Sequence, residues 1–149
     1  MFFFTKMQGT GNDFIILNYL NQKLEYSNKL LVKFLCNRHF GVGADGVLFI
    51  EKSNVADYKM RIFNSDGMEA KMCGNGIRCL AKYLYEYNFT KDKSFMIETL
   101  SGNKEIELIV ENKTVIGVKV GMGEVISEPE VFEVKLKNEI FRGYKIYTR

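Results

Sequence analysis

The sequence predicts an α+β domain in which a helix packs against a curved, mostly antiparallel sheet. Short apolar runs bounded by Gly, Asn, Asp and Ser recur along the whole chain in the manner of strands, whereas only two segments carry helical periodicity. Those two segments do not alternate regularly with the strands, which argues against a doubly wound parallel sheet. With 149 residues and 46% hydrophobic content the chain can bury one core, and its single proline, Pro129, lies in no linker-like tract.

In chain order, "FIIL" (14–17), "GVLFIE" (46–51) and "YKMRIF" (58–63) read as strands. Between the first two, "SNKLLVKFLCNR" (27–38) reads as a helix capped by Ser27. Its apolar face is Leu31, Phe34, Leu35 and Arg38, Cys36 lies beside that stripe, and Gly41 follows the end. A second helix begins just after Cys73, with Ile77, Leu80, Ala81 and Leu84 at i, i+3, i+4, i+7, and ends near Asn88. From residue 94 the texture changes to "SFMIETL", "NKEIELIV", "TVIGVKVG" and "EVFEVKL", separated by "SGN" and "ENK" turns, as in an antiparallel meander. "YKIYTR" reads as a final strand whose lack of a cap or polar tail suggests a domain boundary.

Twenty-one basic and 18 acidic residues leave a net charge of +3, too small and too scattered for a nucleic-acid partner. Cys36, Cys73 and Cys79 cannot all pair within one chain and fit reduced thiols in a cytoplasmic protein. The opening "MFFFTKMQGTGNDF" has no basic segment before its apolar run, unlike a signal peptide, and no segment is apolar for long enough to span a bilayer. The expectation is a soluble cytoplasmic domain with no membrane partner.

Chemistry concentrates in "KMCGNGIRC" (71–79). A helix beginning after Cys73 leaves its first amide N–H groups unpaired, and Gly74 and Gly76 have no side chains to keep a ligand from them. Such a turn cradles a carboxylate or phosphate, and the positive end of the helix lowers the pKa of an adjacent thiol from its usual value near 8.5. The competing reading makes Cys73 a small buried residue and the glycines a mere turn. Zinc is disfavoured, because five residues separate Cys73 from Cys79 where structural sites use two to four, and the lone His39 has no partner at regular spacing. His39 reads as a loop or packing residue. "GTGND" (9–13) and "GVGADG" (41–46) lack both the dinucleotide fingerprint and the Lys-Ser/Thr of a P-loop. With "FNSDG" (63–67) they nevertheless repeat a theme: Asn12, Asn64 and Asn75 each stand by a glycine or small residue at the end of an apolar segment. Such asparagines suit a zwitterionic amino acid or simply make turns.

The blocks "FTKMQGTGNDFIIL" (4–17), "NRHFGVGADGVLFIE" (37–51), "YKMRIFNSDGMEAKMCGNGIRCLAKYL" (58–84) and "ETLSGNKEIEL" (98–108) closely resemble the N-terminal half of the diaminopimelate epimerase family. The resemblance implies a fold of two similar domains, each a mostly antiparallel curved sheet wrapped around a central helix, with the site in the cleft between them. It implies epimerisation of LL- to meso-diaminopimelate, a precursor of lysine and peptidoglycan, by two cysteines on opposite faces of the α-carbon, without pyridoxal phosphate or metal. It implies that Cys73 is the first catalytic cysteine, that Gly74 and Asn75 bind the α-carboxylate, and that Asn12 and Asn64 contact the substrate. Where some members carry a substrate-contacting glutamine this chain has Gly46. The family likeness also implies a homodimer for the full-length enzyme.

A stereocentre inverted in place needs an acid and a base on opposite faces of one carbon. Six residues along one helix put Cys79 roughly 120° around and about 9 Å along the axis from Cys73, so the two cannot share an α-carbon. Cys79 is therefore read as packing, and residues 1–149 as the N-terminal domain alone, inactive without the C-terminal domain that carries the second cysteine in the family. A related cofactor-independent racemase or isomerase, or a non-catalytic binding module, are the alternatives.

Overall fold

A computed structural model of the chain describes residues 3–20, 29–123, 125–136 and 139–148. The described elements are β1 (Thr5–Gly9), β2 (Asn12–Asn18), α1 (Lys29–Cys36), β3 (Gly46–Glu51), β4 (Tyr58–Asn64), β5 (Glu69–Ala70), α2 (Gly74–Glu86), β6 (Ser94–Thr99), β7 (Gly102–Glu111), β8 (Thr114–Val120), β9 (Val125–Leu136) and β10 (Glu139–Thr148). The main sheet runs β1-β2-β3-β4-β6-β7-β8, with the two-residue β5 paired to β4, while β9 and β10 pair separately and antiparallel. Its two edge strands, β1 and β8, both pack against α2, so the sheet curls round that helix.

Most neighbours are antiparallel, as expected. Two pairs are parallel, β2 with β3 across α1 and β4 with β6 across α2, so each helix is a crossover between parallel strands. Sequence texture hides this arrangement because β4 and β6 meet at only Tyr58–Ile97 and Lys59–Glu98, and β5 intervenes before the helix.

The apolar runs of β2 and β3 are continuous because these strands are buried on both faces. Phe14, Ile16, Leu48 and Ile50 face α2, together with Met60 and Ile62 of β4. Their alternates Ile15, Leu17, Val47 and Phe49 face outward onto Val32 and Cys36 of α1, with Phe63 closing the layer by an edge-to-face contact to Phe49. The later strands are buried on one face only: Phe95 and Ile97, Ile106 and Leu108, and Val115 alternate with exposed neighbours and meet the same inner core.

The expected face of α1 is corrected. Val32 and Cys36 are buried, Leu31 and Leu35 are half-buried, and Phe34 is 59% exposed. With apolar residues on almost every side of this helix, periodicity alone could not select the side that meets the sheet. The helix also stops before Arg38: Asn37 Oδ1 accepts from the backbone N–H of His39 (2.8 Å) and Phe40 (2.9 Å), a local turn that competes with another helical turn. The proposed cap Ser27 lies outside the described residues.

For α2 the sequence reading holds, with Ile77, Leu80, Ala81 and Leu84 fully buried. Its end is a Schellman motif. Asn88 takes the left-handed conformation (φ 60°), its N–H donates to the Tyr85 carbonyl at 3.1 Å, and the Phe89 N–H donates to the Leu84 carbonyl at 2.9 Å. The Phe89 ring stacks on Tyr83, 5.6 Å between centroids, which supplies the apolar contact of that motif.

Strand β1 was not foreseen. It forms a hairpin with β2 through Thr10 (φ 54°) and Gly11 (φ 84°), a two-residue turn with both φ positive that matches the strand twist. Two expectations of stability follow. Leu80→Ala should lower the unfolding free energy by about 3 kcal/mol, measured by urea denaturation. Phe34→Ala should change it by less than about 0.5 kcal/mol; a larger loss would restore the face that the sequence suggested.

Candidate active site

The sheet register gathers the expected polar residues at one end. Asn12 opens β2, Gly46 opens β3 opposite Phe14, and Asn64 closes the antiparallel β4 opposite Gly46. By strand alternation Asn12, Gly46 and Asn64 share the inner face of Phe14 and Ile62. The backbone ladder continues past the strands, with Asp45 N–H donating to the Asp13 carbonyl (2.9 Å) and Ser65 N–H to the Asp45 carbonyl (3.1 Å).

The first turn of α2 meets that end of the sheet. Cys73 is its N-cap, with extended backbone (φ −142°, ψ 118°), and the Gly76 N–H donates to Cys73 Sγ at 3.4 Å. This is the role that a serine or aspartate oxygen more often fills. The thiol points toward Asn12 Oδ1, 3.9 Å away, and Asn75 Nδ2 donates to the same oxygen at 3.5 Å. Asn75 is oriented in turn by donors to its Oδ1, from Arg78 Nη2 and from the Thr10 hydroxyl at 2.9 Å. Among the described residues the N–H groups of Gly74 and Asn75 have no acceptor, whereas that of Ile77 already donates to the Cys73 carbonyl at 2.9 Å.

The two glycines of the turn differ. A Cβ on Gly74 would meet only the Arg78 side chain at 3.6 Å, while one on Gly76 would press on Leu48 Cδ2 at 3.0 Å. Gly76 is therefore glycine to let the helix sit on β3, not to clear a path for a ligand, which corrects that part of the sequence reading. At Gly46 a Cβ would lie 2.7 Å from the Phe63 carbonyl oxygen. No side chain fits there on this backbone, so the polar contact of a glutamine has no counterpart at that position.

A charged cluster that the sequence did not disclose supports Asn12 from behind. Asn12 Nδ2 donates to Asp45 Oδ2 at 2.7 Å. Arg38 bridges Asp13 Oδ1 (2.7 Å) and Asp45 Oδ1 (2.8 Å), and Lys6 Nζ lies 3.2 Å from Asp13 Oδ2. The Arg38 hydrogen bond, joined by Lys6, holds the Asp13 carboxyl well below the usual carboxylate range, and the two acids raise the Arg38 guanidinium in return. All three partners lie inside motifs already visible, but residues 13, 38 and 45 become neighbours only through the β2–α1–β3 crossover.

The other thiols are placed differently. Cys36 is buried in the outer layer, where burial pushes its pKa up to about 11. Cys79 is buried in the inner core beside Gly9, and burial likewise raises it. His39 is an exposed loop residue. Among the described residues no three His, Cys, Asp or Glu side chains gather as metal ligands, and no helix is long and apolar enough to cross a membrane.

With this geometry in view, sequence comparison is decisive: the family model for diaminopimelate epimerase matches residues 4–127. The chain belongs to the diaminopimelate epimerase family. It is 51% identical over 131 residues to the diaminopimelate epimerase of Methanococcus maripaludis strain C5, covering 88% of this chain and 47% of that protein. It is also 51% identical over 138 residues to that of Caldanaerobacter subterraneus subsp. tengcongensis, covering 93% and 49%. The chain thus spans about half the length of the diaminopimelate epimerases it matches. The same curled architecture occurs in a probable proline racemase from Agrobacterium radiobacter K84, with a TM-score of 0.77 at 14% identity over 97% of this chain and 48% of that one.

Two outcomes test the placement of these groups. Iodoacetamide at neutral pH should modify Cys73 well before Cys36 and Cys79, as read by peptide mass spectrometry; equal labelling in the folded protein would contradict the burial of the other two. Asp13→Asn should lower the urea midpoint at pH 7. The depressed Asp13 carboxyl contributes stability above its unfolded pKa of about 3.9 and loses it as pH falls below that value. The gap between the two proteins should therefore close in acid.

Proposed function

We propose that this chain carries one face of a cofactor-independent amino-acid epimerase site that acts on diaminopimelate, with Cys73 as the acid/base group on that face. The observation that carries the proposal is the convergence at one helix start of a thiol, two unpaired amide N–H groups and a fixed asparagine carbonyl. Membership of the family supports the same reading.

In this mechanism the substrate α-carboxylate sits on the Gly74 and Asn75 N–H groups. These donors and the positive end of α2 stabilise the negative charge that spreads into the carboxylate as the α-hydrogen leaves. Asn12 and Asn64, on the same sheet face, take the remaining polar groups of the substrate. Cys73 as thiolate removes the α-hydrogen from one enantiomer; as thiol it returns a proton to the carbanion formed from the other. A thiol/thiolate partner must stand on the opposite face, and the two exchange protonation states at each turnover. Cys36 lies across the sheet from Cys73 and Cys79 is packed in the inner core, so neither serves. This reading assigns the partner cysteine to a second domain outside residues 1–149, for which the greater length of the relatives' chains leaves room.

The test is mass-detected α-deuterium incorporation in D2O, with LL-diaminopimelate and proline offered side by side. The chain alone should show no appreciable epimerisation. Supplied with the C-terminal half of a relative, it should act on diaminopimelate, and Cys73→Ser should lower that rate by at least about 100-fold. Full turnover by residues 1–149 alone would defeat the two-domain reading, and exchange of proline but not diaminopimelate would defeat the substrate.

A further inference from the structure

We infer that Asp45, braced by Arg38, is a positioning residue that decides which end of the Asn12 side-chain amide faces Cys73. The inference rests on the proposed roles of Asn12 and Cys73, and it concerns a contact that neither residue type nor family membership explains.

A carboxamide is almost symmetric in shape, and its two orientations differ only in which end donates and which accepts. A carboxylate has acceptors only. With Asn12 Nδ2 donating to Asp45 Oδ2 at 2.7 Å, the amide can meet Asp45 in one sense alone, and its Oδ1 is turned toward Cys73 Sγ and Asn75 Nδ2. Asp45 itself has little freedom to rotate. Its Oδ1 accepts from Arg38 Nη2 at 2.8 Å, and its Oδ2 also accepts from the Asp13 N–H at 3.1 Å. On the far side Asn75 is fixed by the same logic, since Arg78 and Thr10 both donate to its Oδ1 and leave its amino group for Asn12. The acceptor-only carboxylate of Asp45 on one side and the donor-only Arg78 on the other thus set the sense of the bonds between them, and Asn12 Oδ1 is where the two chains of bonds converge beside the sulfur.

Asp45→Asn tests this with almost no change of shape. An amide at position 45 can donate or accept, so Asn12 is then held in its present sense only by the long 3.5 Å contact from Asn75, and it gains a state in which it turns over and offers N–H to the Cys73 sulfur. In the unaltered chain, nitrogen-15 NMR should show Asn12 side-chain amide protons slow to exchange and displaced from free-amide positions by the carboxylate. In Asp45→Asn those signals should move toward free-amide positions, and alkylation of Cys73 by iodoacetamide at pH 7 should rise roughly threefold as the added donor favours the thiolate. Asp45→Glu, which keeps the acceptor-only group, should recover much of the original spectrum and rate, a rescue that simple loosening of the fold would not produce. Free-amide signals for Asn12 in the unaltered chain would overturn the inference even if Asp45→Asn failed to fold. So would a folded Asp45→Asn with unchanged Asn12 signals and Cys73 rate, or Asn and Glu variants that behave alike. None of these measurements needs turnover, so failure of the epimerase reading is seen separately, in the deuterium experiment.

Discussion

Everything at the site depends on the burial of one face of α2 in the curl of the sheet. Ile77, Leu80, Ala81 and Leu84 are fully buried against β2, β3 and β4, and that packing fixes both the rotation and the axial position of the helix. Because α2 is the crossover between the parallel strands β4 and β6, it must begin at the end of the sheet where β4 finishes. β3 runs antiparallel to β4 and β2 runs parallel to β3, so both begin at that same end. The helix start, Asn12, Gly46 and Asn64 are brought together by topology, whatever polar contacts they make.

The polar contacts then refine what topology delivers. Cys73 occupies the one helix position where a side chain can accept from the first turn and still face outward to a ligand. Its two fellow cysteines, chemically the same, are made inert by being packed into the inner and outer apolar layers. The charged cluster of Lys6, Asp13, Arg38 and Asp45 stands on the opposite side of Asn12 from the thiol, where its members neutralise one another and act on the site only through hydrogen bonds.

Much of this was legible in the sequence. The strands over 46–51 and 58–63, the α2 stripe and the late meander could be read because each segment has one clear period, or a short apolar run between turn residues. Cys73 stood out because a glycine-bounded helix start has its own signature. Strand β1 was hidden, since "TKMQG" alternates only between half-buried and exposed and contains one apolar residue before its glycine. The face of α1 was misread because Leu30, Leu31, Val32, Phe34 and Leu35 offer several stripes and only the shape of the sheet chooses among them. The Arg38 bridge lay beyond reach for a different reason: charged residues give no periodic signal, and their partners are 7 and 25 positions away along the chain.

The contact at Gly76 has a mechanical consequence. With only 3.0 Å between Leu48 Cδ2 and the place where a Cβ would stand, α2 and β3 are meshed backbone to side chain, and a slide of the helix by one residue would put Asn75 or Ile77 into a gap cut for hydrogen. A packed interface of this kind has discrete settings rather than a continuous range. The sulfur is thereby held in register with β3, and the Thr10 hydroxyl at Asn75 and the Arg38 brace on Asp45 tie the neighbouring turn and loop to the same frame.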